Sequence, residues 1–214
     1  ELLPFEAAFR CLADLTTELR GLGHDISVLD IGGGLGIDYA DGDQLPPQIS
    51  DYAALAVDIL GNLGCRIIVE PGRSLVGDIG ILVSRVIYVK QGERDRFLII
   101  DAGMNDLLRP SMYDAYHEIV PCEIRQGEPV TYQVVGPICE TGDTFAHGRK
   151  LPPMHSGDLL AIKNSGAYGA VMASSYNTRP LVPEVLVDGD KLTVIRRRPG
   201  FEELINFDTP DGHP

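Results

Sequence analysis

Apolar residues recur at intervals of three and four from Pro4 to Leu22, where Phe5, Ala8, Phe9, Leu12, Leu15 and Leu19 line one side of a predicted helix that Gly21 to Gly23 brings to an end. A short apolar run, Ile26 to Ile31, then has the length of a strand. Helical spacing returns in Tyr52 to Leu63 (YAALAVDILGNL), and a second short run, Ile67 to Val69, follows it. The order α-β-α-β predicts two neighbouring parallel strands covered by helices. Their carboxyl ends form the edge at which α/β folds bind ligands.

From about Gly80 the period changes from helical to extended. Ile81 to Lys90, Arg96 to Asp101, Pro129 to Val135, Asp158 to Lys163, Pro183 to Val187 and Lys191 to Arg197 are short, β-branched and bounded by turn residues. Asp188-Gly189 between the last two is a hairpin signal. The expected fold is therefore α/β over residues 1–79 followed by an all-β sandwich or barrel over 80–214, with the boundary near 78 to 82 and the segment Phe201 to Pro214 left without an assigned element.

Composition narrows the function classes. A chain of 214 residues with 44% hydrophobic content can bury one large core or two modest ones. Its net charge of -13 opposes nucleic acid and anionic membranes. No apolar stretch approaches the ~20 residues of a membrane span, and Glu1-Leu2-Leu3-Pro4 shows no secretory signal. Cys11, Cys65, Cys122 and Cys139 lie far apart with no C-x-x-C pair, which points to a reducing cytoplasm. His24, His117, His147, His155 and His213 have no metal-ligand spacing, so no metal is expected.

Two strand-end motifs carry the candidate chemistry. Gly32, Gly33 and Gly34 follow the first strand, and glycines let backbone amides approach an anion closely because no Cβ intervenes. The run fits neither G-x-G-x-x-G nor a phosphate loop ending in Gly-Lys-Ser/Thr. Glu70-Pro71-Gly72-Arg73 sets a carboxylate at the last residue of a buried strand, followed by a guanidinium. Glu70 and Arg73 form an ion pair with each other, or they receive a ligand cation and a ligand anion. A ligand with a basic ring nitrogen and a phosphate, such as pyridoxal 5′-phosphate, would engage both motifs.

Four further clusters lie in the β-rich part. Arg109 and Tyr113, four apart, suit a carboxylate clamp, or Arg109 is a solvated loop residue. Gly136 to Asp143 brings Cys139, Glu140 and Asp143 into one loop, where the thiol is a candidate proton donor or inert packing. Tyr168 between small residues can reach a phosphate or pack in the core. Asn177 to Pro180 reads as a turn, and Arg196-Arg197-Arg198 as a solvated strand edge.

Taken in order, DIGGGLGI, EPGRSLV, DAGMNDLLRPSMYDAYH, GPICETGD and SGAYGAVMASSYN resemble the diaminopimelate decarboxylases, fold-type III pyridoxal-phosphate enzymes of the alanine racemase and ornithine decarboxylase group. The resemblance implies that residues 1–79 are the last part of a TIM-type (β/α)8 barrel and residues 80–214 a domain contributing to the active site and a homodimer interface. It also implies decarboxylation of meso-diaminopimelate to L-lysine, with ornithine, arginine or carboxynorspermidine as alternative substrates in the same class. By the same resemblance Gly32 to Gly34, the Gly72-Arg73 backbone and Tyr168 hold the cofactor phosphate, and Glu70 pairs with the pyridine nitrogen. Arg73, Arg109 and Tyr113, with Tyr168 beside them, bind the substrate. Cys139 and Glu140 enter the partner subunit's site, at the carbon to be reprotonated and at the distal amino group. The Schiff-base lysine of these enzymes lies upstream of the matched stretches. Lys90, Lys150, Lys163 and Lys191 are the lysines here, and Lys163 sits on an alternating strand with no reason to face a cofactor. The chain is thus expected to be a carboxyl-terminal half whose N-terminal half supplies the lysine. A partner-binding homologue without catalysis is the competing class, disfavoured by Glu70, Arg73, Cys139 and Tyr168 together.

Overall fold

A computed structural model describes residues 1–40 and 45–206, arranged as two compact units that divide between Asp78 and Ile79. The end of the Phe201 to Pro214 segment, with His213, lies outside the described residues.

In the first unit, helix α1 (Leu3–Gly21) starts with a proline in its first turn, where the missing N–H costs nothing. Strand β1 (Val28–Asp30), helix α2 (Ile49–Leu60) and strand β2 (Arg66–Ile68) follow, with β1 and β2 parallel and Leu29 opposite Ile67. Phe9, Leu29, Tyr52, Ala56 and Leu60 make the core beneath the strands. The rings of Phe5 and Phe9 meet Tyr52 edge to face, at 5.1 and 5.6 Å between centroids. The alternate residues Val28 and Ile68 are exposed, so helices cover one face of the pair. Helix α3 (Arg73–Val76), a single turn with no periodic signal of its own, closes this unit's catalogue of elements.

The second unit holds a six-stranded mixed sheet and a separate hairpin. Its elements in chain order are β3 (Leu82–Gln91), β4 (Arg96–Ile100), helix α4 (Arg109–Tyr113), β5 (Ile119–Pro121), β6 (Val130–Val135), β7 (Thr144–Leu151), β8 (Leu159–Ile162), β9 (Glu184–Asp188), β10 (Lys191–Arg196) and helix α5 (Phe201–Asn206). The sheet order is β5-β8-β3-β4-β6-β7, and only β4 with β6 is parallel. Ile119 from one end strand and Phe145 and Leu151 from the other join Val86, Leu98, Ile100, Val134, Leu160 and Ile162 in a single core, so the sheet wraps around it as a barrel does. The Asp188-Gly189 turn is a hairpin with Gly189 at φ +61°. Pairing of Val187 with Leu192 and Val185 with Val194 gathers four exposed aliphatic side chains on one of its faces. No helix among the described residues is long and apolar enough to cross a membrane.

Candidate active site

In the first unit the parallel ladder runs on past its strands. Ile31 N–H donates to the Ile68 carbonyl at 3.0 Å, and Glu70 N–H donates to the Gly32 carbonyl at 2.8 Å. The register that pairs Asp30 with Ile68 thereby sets Glu70 against the glycine bend. The glycines serve different ends. Gly32 and Gly34 stand at φ +67° and +97°, where a Cβ is strained, while a Cβ on Gly33 would come closer than 3.0 Å to the Glu70 carbonyl oxygen. The Gly32 amide donates to Asp30 Oδ1 at 2.9 Å, so its contribution is the bend and not a free donor.

The segment beyond the bend lies over α3. A Cβ on Gly77 would meet Ile37 Cδ1, and the Arg73 guanidinium stands 6.0 Å from the Tyr39 ring centroid. Gly72 precedes α3 and accepts from Leu75 N–H at 3.0 Å. One sequence expectation is corrected here. Glu70 is not on a buried strand, because β2 ends at Ile68 and Glu70, two residues beyond it, is exposed.

In the second unit, Arg109 opens α4 with Pro110 behind it, and Asp114 ends that helix in the left-handed region at φ +52°. Arg109 is 8% exposed, so the solvated-loop reading fails, while Tyr113 at the other end of α4 is 61% exposed. The loop before α4 is pinned from several sides. Gly103 N–H donates to Asp106 Oδ2 at 2.9 Å, and Arg179 donates from Nε to Asn105 Oδ1 at 3.0 Å and from Nη2 to the Asp101 carbonyl at 2.6 Å. Arg179 is therefore an anchor, a role that reading its segment as a turn does not give.

Cys139 and Glu140 are both exposed on the loop between β6 and β7, which rules out buried packing for the thiol. Asp143, 3% exposed, holds that loop: Oδ2 accepts from Ile138 N–H and Oδ1 from Met104 N–H, each at 2.7 Å. Burial pushes its carboxyl above the usual carboxylate range, against the pull of those amides and of Arg179. Asp143 so ties the Cys139 loop to the loop leading to Arg109, and Ser111 Oγ donates to the Gly142 carbonyl at 2.5 Å to complete the link. Asp143→Ala leaves the buried Ile138 amide and the part-buried Met104 amide without their acceptor and is expected to cost about 2–4 kcal/mol, with Asp143→Asn costing roughly half as much. Thermal unfolding of the whole enzyme checks this, and an unchanged Tm would contradict the clamp.

Tyr168 sits at φ +60° in a loop where Asn164 is also left-handed. A Cβ on Gly169 would collide with the Ser165 carbonyl, and one on Gly80 with the Gly166 backbone, so glycines permit the tight path. Tyr168 is 41% exposed, which excludes the core reading, and its ring lies 6.0 Å from the Arg109 guanidinium carbon. Arg109, Tyr113, Cys139, Glu140 and Tyr168 are thus held by one connected set of loops. Lys163 Nζ is paired with Glu118 at 2.6 Å, and that acid raises its pKa, the opposite of what imine formation requires. Among the described residues no group of three or more His, Cys, Asp or Glu is placed to hold a metal.

The sequence reading finds in His117 only a histidine without metal-ligand spacing, and its role lies elsewhere. It is 1% exposed and lies between Arg109 Nη1, 3.0 Å from Nε2, and the Lys163 carbonyl, 2.8 Å from Nδ1. A lone histidine after Tyr116 carries no periodic or spacing signal, and its partner at Lys163 is far along the chain.

The family model for the C-terminal sheet domain of pyridoxal-dependent decarboxylases matches residues 24–166. The chain is 47% identical over 207 residues to the diaminopimelate decarboxylase of Zymomonas mobilis, covering 96% of this chain and 48% of that protein. Among solved structures it is similar to Helicobacter pylori diaminopimelate decarboxylase complexed with L-lysine, with a TM-score of 0.89 and 41% identity over 97% of this chain and 51% of that one. It is also similar to the M. jannaschii diaminopimelate decarboxylase in co-complex with L-lysine, with a TM-score of 0.93 and 36% identity over 98% and 49% of the two chains. The chain spans about half the length of the curated relatives it matches.

Proposed function

The chain belongs to the pyridoxal-dependent decarboxylases, whose C-terminal sheet domain it carries, and from that premise we propose that it is the carboxyl-terminal half of an enzyme converting meso-2,6-diaminopimelate to L-lysine and carbon dioxide. On this reading the first unit is the last part of a (β/α)8 barrel, and the other half supplies the Schiff-base lysine. The observation that carries the reading is the apposition of the glycine bend and Glu70 at two parallel strand ends. The bend packs against the Glu70 backbone so closely that a Cβ at Gly33 would collide with the Glu70 carbonyl, and it sets glycine amides beside an acid, an arrangement that fits a ring with an anionic tail and a basic nitrogen.

Bound pyridoxal 5′-phosphate supplies the electron sink that lets carbon dioxide leave. The chain's own residues do the rest. Gly33, Gly34 and the Gly72-Arg73 backbone offer amides to the phosphate, the Gly32 bend aims them, and the Tyr168 hydroxyl adds a donor. Glu70 accepts a hydrogen bond from the pyridine nitrogen and keeps a proton there. Arg73, Arg109 and Tyr113 hold the substrate carboxylates, with Tyr168 beside them. Cys139 delivers a proton to the carbon that carbon dioxide leaves, and Glu140 takes the distal ammonium. Cys139 and Glu140 serve the partner subunit's site in a homodimer. Free thiols at all four cysteines suit a reducing cytoplasm.

The whole enzyme, both halves present, is expected to release carbon dioxide and L-lysine from meso-diaminopimelate and to leave ornithine and arginine untouched. Chromatographic product analysis over the three substrates decides it. Turnover of ornithine or arginine alone overturns the assignment.

A further inference from the structure

His117 joins two parts of the second unit that the proposed function uses separately. Arginine only donates hydrogen bonds, so Nε2, 3.0 Å from Arg109 Nη1, must present its lone pair. A backbone carbonyl only accepts, so Nδ1, 2.8 Å from the Lys163 oxygen, must carry the hydrogen. Both contacts are satisfied by one species alone, the neutral imidazole protonated on Nδ1. Lys163 immediately precedes the strained segment from Asn164 to Tyr168, so the ring fixes Arg109 against the backbone that presents Tyr168.

Resting on the decarboxylase reading, we infer that His117 is a positioning residue for substrate binding: as a neutral acceptor it holds the Arg109 guanidinium in the orientation that receives a substrate carboxylate, and it ties Arg109 to the Tyr168 loop. Its surroundings oppose a charge on the ring. Arg109 faces it from α4, and Arg149 from β7 donates to the His117 carbonyl at 3.0 Å while its guanidinium stacks on the Tyr116 ring at 4.2 Å. The Lys163 ammonium is turned to Glu118. Burial first, then the Arg109 and Arg149 charges, lower the ring's pKa against the Lys163 contact that raises it. Protonation would set an N–H against an N–H and a cation against a cation, and Arg109 would be displaced. Substrate affinity is therefore present at neutral pH, and is lost as pH falls through the ring's depressed pKa, below the ordinary imidazole value of about 6.5.

Two isosteres separate positioning from packing in the whole enzyme. His117→Gln places a carbonyl oxygen near the Nε2 position and keeps an acceptor for Arg109. His117→Asn keeps only the donor to Lys163. His117→Asn is expected to raise the KM for diaminopimelate ~10-fold or more with kcat within about twofold, as for loss of a buried charge-assisted hydrogen bond, and His117→Gln to recover KM to within about threefold of wild type. The acid-side rise in KM should be present in wild type and absent in His117→Gln. Equal damage by both isosteres, or an acid limb that survives in His117→Gln, overturns the inference. Imidazole ¹⁵N shifts of the whole enzyme give a readout independent of turnover. The Nδ1–H tautomer is expected, and an Nε2–H tautomer or an imidazolium at neutral pH refutes the assignment. An enzyme that shows this tautomer yet never turns over diaminopimelate would fail the proposed function and, having no substrate carboxylate for Arg109 to receive, this inference with it. An active enzyme with the wrong tautomer would fail this inference alone.

Discussion

Gly33→Ala is expected to destabilise the first unit by about 3 kcal/mol, at the upper end of overpacking, and to abolish binding of pyridoxal phosphate by the whole enzyme. The added Cβ would press on the Glu70 carbonyl oxygen, and neither side can give way. The Gly32 carbonyl and the Glu70 amide are bonded at 2.8 Å, so moving the bend away breaks the last rung of the ladder, and moving Glu70 away shifts the proposed pyridine partner. Gly32→Ala is the internal comparison. Its Cβ meets open space but inherits φ +67°, so its cost is conformational and about 1–2 kcal/mol. Denaturant unfolding together with the absorbance of bound cofactor measures both effects. Equal behaviour of the two variants would mean that contact with Glu70 does not shape the bend.

Cys139→Ala is expected to lower kcat by ~100-fold or more, the range of a lost general acid, while stability moves by no more than about 0.5 kcal/mol. The two effects separate because of where the thiol sits. Cys139 is exposed, so truncation opens no cavity, and the loop is held by Asp143 through the Ile138 and Met104 amides instead. Cofactor absorbance should be unchanged in the variant. Single-turnover measurement of carbon dioxide release and product protonation locates the defect, and wild-type kcat in Cys139→Ala would remove the thiol from the mechanism.

Local signals in the sequence carry the helical part of the first unit. Apolar spacing marks α1 and α2, and the glycine run with Glu70-Pro71-Gly72-Arg73 marks the strand ends, because a helical period and a glycine bend are written in neighbouring residues. The same signals fail where function depends on distant partners. The sequence pattern does not predict β7, since His147, Arg149 and Lys150 interrupt its alternation, yet β7 closes one end of the sheet. The short helix α4 gives no signal of its own, because five residues hold no period. Glu70 reads as buried when an apolar run precedes it, but the strand stops at Ile68 and Glu70 is exposed, which no local pattern states. His117 and Asp143 owe their roles to amides, carbonyls and a guanidinium brought near by the sheet, and so neither carries a motif.

The sheet order sets a timetable for synthesis. β3 must pair with β8, Leu82 opposite Ile162, before the core of the second unit can close, although β4 already stands ready beside it. A ribosome therefore releases the β3-β4 hairpin, α4 and β6 well ahead of the strand that locks them, and the Lys163 carbonyl that seats His117 comes after all of them. On the proposed function, Arg109 takes its final orientation only once the chain beyond Lys163 has emerged, and a translation product that stops before it lacks the carbonyl that seats His117 against Arg109.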